Sequence, residues 1–322
     1  MRRTIPGTIS LACLILFCSG CRSTALQTYA YEEILWAADW GGYADEVITG
    51  GNYPSVNIYA PREKKITYTI PVSGTVTGVS WHPSRELLAV TLQTGEEGSF
   101  LFDLRGGEKI YLDSISPDGA RGLGWSPNGE LLAVGDNDGY LHVYDREGRL
   151  QRSRKLDPRG ITALSWHPGG ERIVTVGSGI GSYKLESDTH THRPSRDRQV
   201  LMLSVAWHPN GELYATGDYG EPDRGVSPYL QYWSADGELI YRDSSARAEI
   251  RRLAWSPRGA QLASASDGVR LWTPDGEQLH HGLQNRYLWG LAWKADGSQL
   301  VTTSGNGETF IVSSKLKMLK SW

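Results

Sequence analysis

From residue 36 onward the chain is a series of short apolar runs cut apart by turn-forming residues. One tryptophan recurs in the same setting at Trp40, Trp81, Trp125, Trp166, Trp207, Trp255 and Trp293, at intervals of 38 to 48 residues. Six of the seven are followed by a turn cassette: HPSR, SPNG, HPGG, HPNG, SPRG and KADG. Pro, Asn, Asp and Gly each have a defined turn role. After the cassette comes a second apolar run, such as Leu131–Val134, and then a third, such as Tyr140–Tyr144 or Val269–Trp272. Runs this short between turn signals are strands, and no stretch carries a helical stripe. Each unit is therefore a small antiparallel sheet, which buries both faces only when packed between copies of itself.

Counting back from each tryptophan sorts the ring into levels. Two residues before it stand Ala38, Val79, Leu123, Leu164, Val205, Leu253 and Leu291, an apolar core level. Three before stand Ala37, Gly78, Gly122, Ala163, Ser204, Arg252 and Gly290, small except for Arg252, as crowding near an axis requires. Four before stand Trp36, Thr77, Arg121, Thr162, Leu203, Arg251 and Trp289, a mixed level expected at the mouth of the axial channel. The first and last units become neighbours on closure, which brings Trp36 and Trp289 together with Arg251 and Arg252 close by. Trp and Arg are enriched in binding hot spots, so Trp36, Arg121, Arg251, Arg252 and Trp289 are the candidate partner-binding residues.

The units LGWSPNGELLAVGDNDGYLHVYD (123–145) and LAWSPRGAQLASASDGVRLWTPDG (253–276) resemble the WD-repeat family. The resemblance runs over about residues 25–322 and implies an all-β, seven-bladed β-propeller of four-stranded antiparallel blades. It also implies partner binding near the channel mouth, although one fold hosts many tasks. The Trp-Asp pair that ends the family's third strand is nowhere intact; Phe102-Asp103 and Tyr144-Asp145 come nearest. The family's structural Asp of the second turn is expected at Asp138 and Asp267, with Asn306 in its place in the last unit. The ring could close with Ala25–Tyr31 or with Lys317–Trp322 as the outer strand of the last blade, and the C-terminal segment is the better placed.

The N-terminus reads differently. Arg2 and Arg3 precede a nine-residue apolar run, Ile9–Phe17, too short for a spanning helix but suited to a signal peptide. Cys18-Ser19-Gly20-Cys21 follows, and small residues just before a cysteine resemble the lipobox of bacterial lipoproteins. The division expected is a signal peptide over 1–20, a lipid-anchored tether or closing strand over 21–30, and a propeller over 31–322. Acylation of Cys21 would hold the protein at a membrane. Arg22, where an Asp is associated with inner-membrane retention, favours the outer membrane facing the periplasm.

Composition narrows the function classes. Lysine and arginine number 33 against 36 aspartates and glutamates, too even for a nucleic-acid binder. All three cysteines, Cys13, Cys18 and Cys21, lie in the leader region, so no cysteine nucleophile, zinc site or disulfide follows. His82, His167 and His208 sit in turn cassettes, which points to a structural role. Asp188, His190 and His192 alternate in SDTHTHRPSR and would share one face of a strand, a weak candidate metal site. Asp218–Pro228 is a polar loop inserted in the fifth unit. These features support a non-enzymatic, cofactor-free, monomeric, lipid-anchored propeller that binds another protein in the bacterial cell envelope. The competing class is an envelope hydrolase, lyase or lactonase acting at the channel, marked by carboxylates or His converging on the mouth.

Overall fold

The computed structural model describes residues 33–42, 45–196 and 199–322. The proposed signal peptide, Cys21, the tether and the N-terminal closing candidate Ala25–Tyr31 lie outside the described residues. The protein is a seven-bladed β-propeller. Each blade is four consecutive antiparallel strands in chain order from the axis outward. The first blade is β1 (Ala37–Trp40), β2 (Val47–Gly50), β3 (Ser55–Ala60) and β4 (Lys65–Pro71). The second is β5 (Thr75–Trp81), β6 (Leu87–Gln93), β7 (Phe100–Asp103) and β8 (Glu108–Tyr111). The third is β9 (Ala120–Trp125), β10 (Leu131–Asp136), β11 (Tyr140–Asp145) and β12 (Leu150–Lys155). The fourth is β13 (Ala163–Trp166), β14 (Arg172–Val176), β15 (Ile180–Lys184) and β16 (Thr189–Arg193). The fifth is β17 (Met202–Trp207), β18 (Leu213–Asp218), β19 (Leu230–Ser234) and β20 (Leu239–Asp243). The sixth is β21 (Arg252–Trp255), β22 (Leu262–Ala265), β23 (Val269–Trp272) and β24 (Gln278–Gly282). The seventh is β25 (Leu288–Trp293), β26 (Gln299–Ser304), β27 (Thr309–Ser313) and β28 (Met318–Ser321).

The repeat register holds in every blade. Each repeated tryptophan ends the innermost strand and faces the second strand at Val47, Leu88, Leu132, Ile173, Tyr214, Leu262 or Leu300. The seven rings are 5% to 8% exposed, because each is clamped between two blades. The core is correspondingly divided. Seven apolar clusters each join one blade to the next, and the last, with Ala38, Trp40, Val47, Ala292, Val301 and Ile311, joins the seventh blade to the first. Middle strands such as β6 and β26 are buried on both faces, and they fill them with apolar residues and Thr or Ser: LLAVTLQ in β6 and QLVTTS in β26. Outer strands face solvent, hence polar sequences such as QRSRK in β12 and THTHR in β16.

The outer strand of the seventh blade is the C-terminal β28, which pairs with β27. Its neighbourhood latches the seam: the Trp322 ring stacks on Tyr59 at 3.9 Å, and the Lys320 ammonium donates to the Pro61 carbonyl. On the axial side, the Leu35 N–H donates to the Ser304 carbonyl at 3.2 Å and the Thr303 hydroxyl to the Leu35 carbonyl at 2.8 Å.

The cassette histidines are inter-blade clasps. The Nε2 atoms of His82, His167 and His208 reach the carbonyls of Gly129, Gly211 and Gly259 in the next blade, at 2.9, 3.2 and 3.0 Å. Each ring also meets the next tryptophan edge to face: Trp125 at 4.7 Å, Trp207 at 4.8 Å and Trp255 at 4.6 Å. The three glycines have φ of 72°, 76° and 74°. A Cβ at Gly211 would stand 2.5 Å from His167 Nε2, so both backbone and neighbour require glycine there. In His82 the Nδ1 atom accepts from the Ser84 N–H at 3.1 Å, which leaves the proton on Nε2 to donate to Gly129.

The second-turn Asp is a correction. Asp138, the position expected from the family pattern, is exposed. The buried role falls to Asp136, which accepts from the N–H groups of Ser116, Asp138 and Tyr140 and pairs with His142 at 3.0 Å. Asp218 does the same in the fifth blade, accepting from Gly220 and Tyr229 N–H and from Arg196 at 3.0 Å. Asp267 is half right: it holds Arg270 of its own blade at 2.6 Å.

Candidate functional site

Inner strands run from the channel mouth, where the residues four before each tryptophan stand, to the cassette end. At the mouth a pocket of about 60 Å³ is lined by that whole level, Trp36, Thr77, Arg121, Thr162, Leu203, Arg251 and Trp289, and by Arg252 below it. The five residues singled out from the sequence are thus brought together, although they come from four blades.

The threonines here serve the fold. The Thr77 hydroxyl donates to the Ala120 carbonyl at 2.5 Å and the Thr162 hydroxyl to the Met202 carbonyl at 2.6 Å, each stitching its blade to the next. The aromatic and cationic side chains are arranged differently. The Trp36 and Trp289 rings lie 4.6 Å apart at 57° across the seam. Arg251 covers the face of Trp289 at 3.3 Å and Arg121 stands 5.8 Å from the Trp36 ring, both in cation–π geometry. Trp36 is half-buried, its indole N–H donating to Asn52 at 2.7 Å, whereas Trp289 is buried, 8% exposed. The sequence reading treats the two rings as equivalent, and they are not: Trp289 packs into the wall and Trp36 is the more accessible.

The cations have unequal partners. Arg251 is paired with Glu249. Arg121 donates through Nε to the neutral Gln93 amide at 2.9 Å. Burial, and then the charge of Arg251, pulls Arg121 below the usual guanidinium range. Arg252 is half-buried and is likewise pulled down by burial, with Asp39 acting against that. Asp39 accepts from the N–H groups of Trp40 and Trp81, both at 2.8 Å, and so ties the first blade to the second. Burial nonetheless raises its carboxyl to about 6, the backbone bonds and Arg252 opposing. Asp39, Gln93 and Glu249 escape a reading that follows one level at a time. Asp39 was visible as the only charged residue directly before a repeated tryptophan.

The weak metal candidate comes apart. Asp188 sits in a left-handed turn with φ of 52°, held by Arg154 and by the Tyr183 hydroxyl at 2.7 Å. His192 pairs with Asp157 at 3.2 Å, while His190 is exposed. The alternation is real, but Asp188 ends a turn before β16 begins and each side chain has a different neighbour. Among the described residues no group of three His, Cys, Asp or Glu is placed to hold a metal.

The insertion of the fifth blade lies on the mouth face, since Asp218 pairs with Met202 at the mouth end of β17. It is an ordered loop: Glu221 and Val226 exchange both backbone hydrogen bonds around a 3-10 turn, Pro222–Arg224. Beside it, Leu201 and Tyr219 are 42% and 43% exposed.

Fold and site together define a propeller with WD-repeat-like blades and an aromatic, cationic channel mouth. Residues 107–169 match the family model described as anaphase-promoting complex subunit 4 WD40 domain, and residues 237–273 match WD domain, G-beta repeat. Both stretches begin in or just before the outer strand of one blade and run into the next, so sequence repeat and blade are offset by one strand. Among solved structures, a chain of the crystal structure of the mitotic checkpoint complex is similar, with a TM-score of 0.74 and 16% identity over 88% of this chain and 91% of that one. At that identity the likeness is one of fold. No curated protein sequence matches the chain.

Proposed function

We propose that this protein is a non-enzymatic scaffold that docks another protein on its channel-mouth face while a lipid on Cys21 holds it in the bacterial envelope, at the outer membrane facing the periplasm. WD-repeat propellers typically serve protein interaction, which supports the first part. The observation that carries it is the mouth lining: two Trp and three Arg, with neither carboxylate nor His among the lining residues. A hydrolase or lyase would need such groups converging there. The anchor rests on the sequence Ile9–Cys21.

The described chain enters at the mouth face, where Leu35 bonds Ser304. If Cys21 is the anchor, the intervening chain spans at most about 45 Å fully extended. The docking face then stays near the membrane, which favours an envelope partner with a segment close to the bilayer.

Crosslinking in intact membranes, followed by capture, tests the docking face. The double variant Trp36→Ala with Arg251→Ala, still folded by circular dichroism, should lose the partners that the wild type captures. Equal capture by the folded variant would reject this face. For the anchor, Cys21→Ser should shift the protein from the membrane to the soluble fraction; retention after a salt wash would reject acylation as the attachment.

A further inference from the structure

The mouth has a charge and a size that specify more than a protein surface. Three guanidiniums, Arg121, Arg251 and Arg252, face or floor the pocket. Glu249 pairs with Arg251, and Asp39 is the carboxylate that acts on Arg252. That leaves an excess of one positive charge, carried by Arg121, whose hydrogen bond is to the uncharged Gln93. Arg121 and Arg251 stand close enough to repel each other. A guanidinium presents a planar fork that matches a carboxylate. The space, about 60 Å³, admits one small group and excludes a helix or a pair of side chains. Trp36, half-buried on the wall, offers an apolar face for a short carbon stem.

We propose that the mouth seats a single carboxylate, the Asp or Glu side chain of an extended partner segment, between Arg121 and Arg251 and over Arg252. This rests on the reading of the mouth as the docking face and names what that face recognises. One bound monoanion balances the excess charge and separates the two repelling guanidiniums, whereas a phosphate dianion would overshoot it. The segment on either side lies on the mouth face, where Leu203 on the pocket wall leads toward exposed Leu201 and Tyr219 beside the blade-five loop.

The test is a display library of random heptapeptides selected on the full-length protein, with binders sorted by whether Trp36→Ala abolishes them. Binders that need Trp36 should share an acidic residue at one position. In synthetic copies of these peptides, replacing that residue by its amide should weaken binding at least tenfold, which is about 1.4 kcal/mol. Because the change is in the peptide, the protein fold is untouched. Arg121→Gln should remove most of the preference for acid over amide. Trp36-dependent binders with no acidic position, binders indifferent to the amide change, or a phosphoserine peptide binding more tightly than its Glu counterpart would each overturn the carboxylate seat while leaving the docking face intact. A library that yields no Trp36-dependent binder overturns both.

Discussion

The two ends of the inner strands are built on different principles. At the cassette end every blade repeats one solution: a buried tryptophan, a fixed register to the second strand and, in three blades, a histidine clasp onto the next glycine. At the mouth end, ten or so ångströms away along a short strand, the residues are Trp, Thr, Arg, Thr, Leu, Arg and Trp, with no repeat. Repetition marks what the fold demands of every blade equally. Its loss marks the level where the fold makes few demands and individual side chains are free to serve recognition. Thr77 and Thr162 are the exception within that level, since each uses its hydroxyl to bond the backbone of the next blade.

Substitutions at the cassette end should reveal the contrast most strongly. Trp125→Ala removes a ring clamped between the second and third blades and should lower unfolding free energy by about 3–5 kcal/mol. A change under about 1 kcal/mol in denaturant unfolding would mean that this level does not hold the ring. Gly211→Ala comes next. It combines a left-handed backbone with a Cβ 2.5 Å from His167, and should cost about 2–3 kcal/mol. Gly225→Ala, at φ of 69° in the insertion with nothing within 4 Å, isolates the backbone cost alone, about 1 kcal/mol. If the two cost the same, the clasp does not constrain the glycine. Removing a clasp directly, His208→Ala, should cost about 1–2 kcal/mol through one hydrogen bond and one aromatic contact.

Acid should loosen the clasp. Burial holds the His82 imidazole below its usual range, and its Nδ1 atom is occupied by the Ser84 N–H. A lowered folded-state value means that its contribution is present above about pH 6.5 and declines as the pH falls below that. Asp39 has the opposite sign. Raised to about 6, it favours the folded state most below its unfolded value of 3.8 and loses that contribution as the pH rises through 6. The stability difference between wild type and His82→Gln should therefore shrink between pH 7 and pH 5; a constant difference would show that His82 does not titrate with folding.

Much of this was legible in the chain. The tryptophan spacing fixes the blade count, and counting back four residues from each tryptophan yields every lining residue of the pocket except Arg252, because one register holds in all seven blades. What was not legible depended on contacts between distant blades. Asp39 and Arg252 belong to the first and sixth blades, so their interaction exists only once the ring has closed. The inequality of Trp36 and Trp289 comes from Arg251 covering one face and not the other. Asp136 rather than Asp138 takes the buried turn position because burial at the end of β10, not distance from a motif, selects the carboxylate that can accept three backbone donors.

The division of labour between the two ends is tested most directly by measuring thermal unfolding and crosslinked partner capture together, on Arg121→Gln with Arg251→Gln and on His208→Ala. The mouth variant should unfold within about 1 kcal/mol of wild type, as substitutions outside the core do, and lose capture; the clasp variant should unfold earlier and, below its transition, capture as the wild type does. A mouth variant that is destabilised yet captures normally, or a folded clasp variant that fails to capture, would contradict the account.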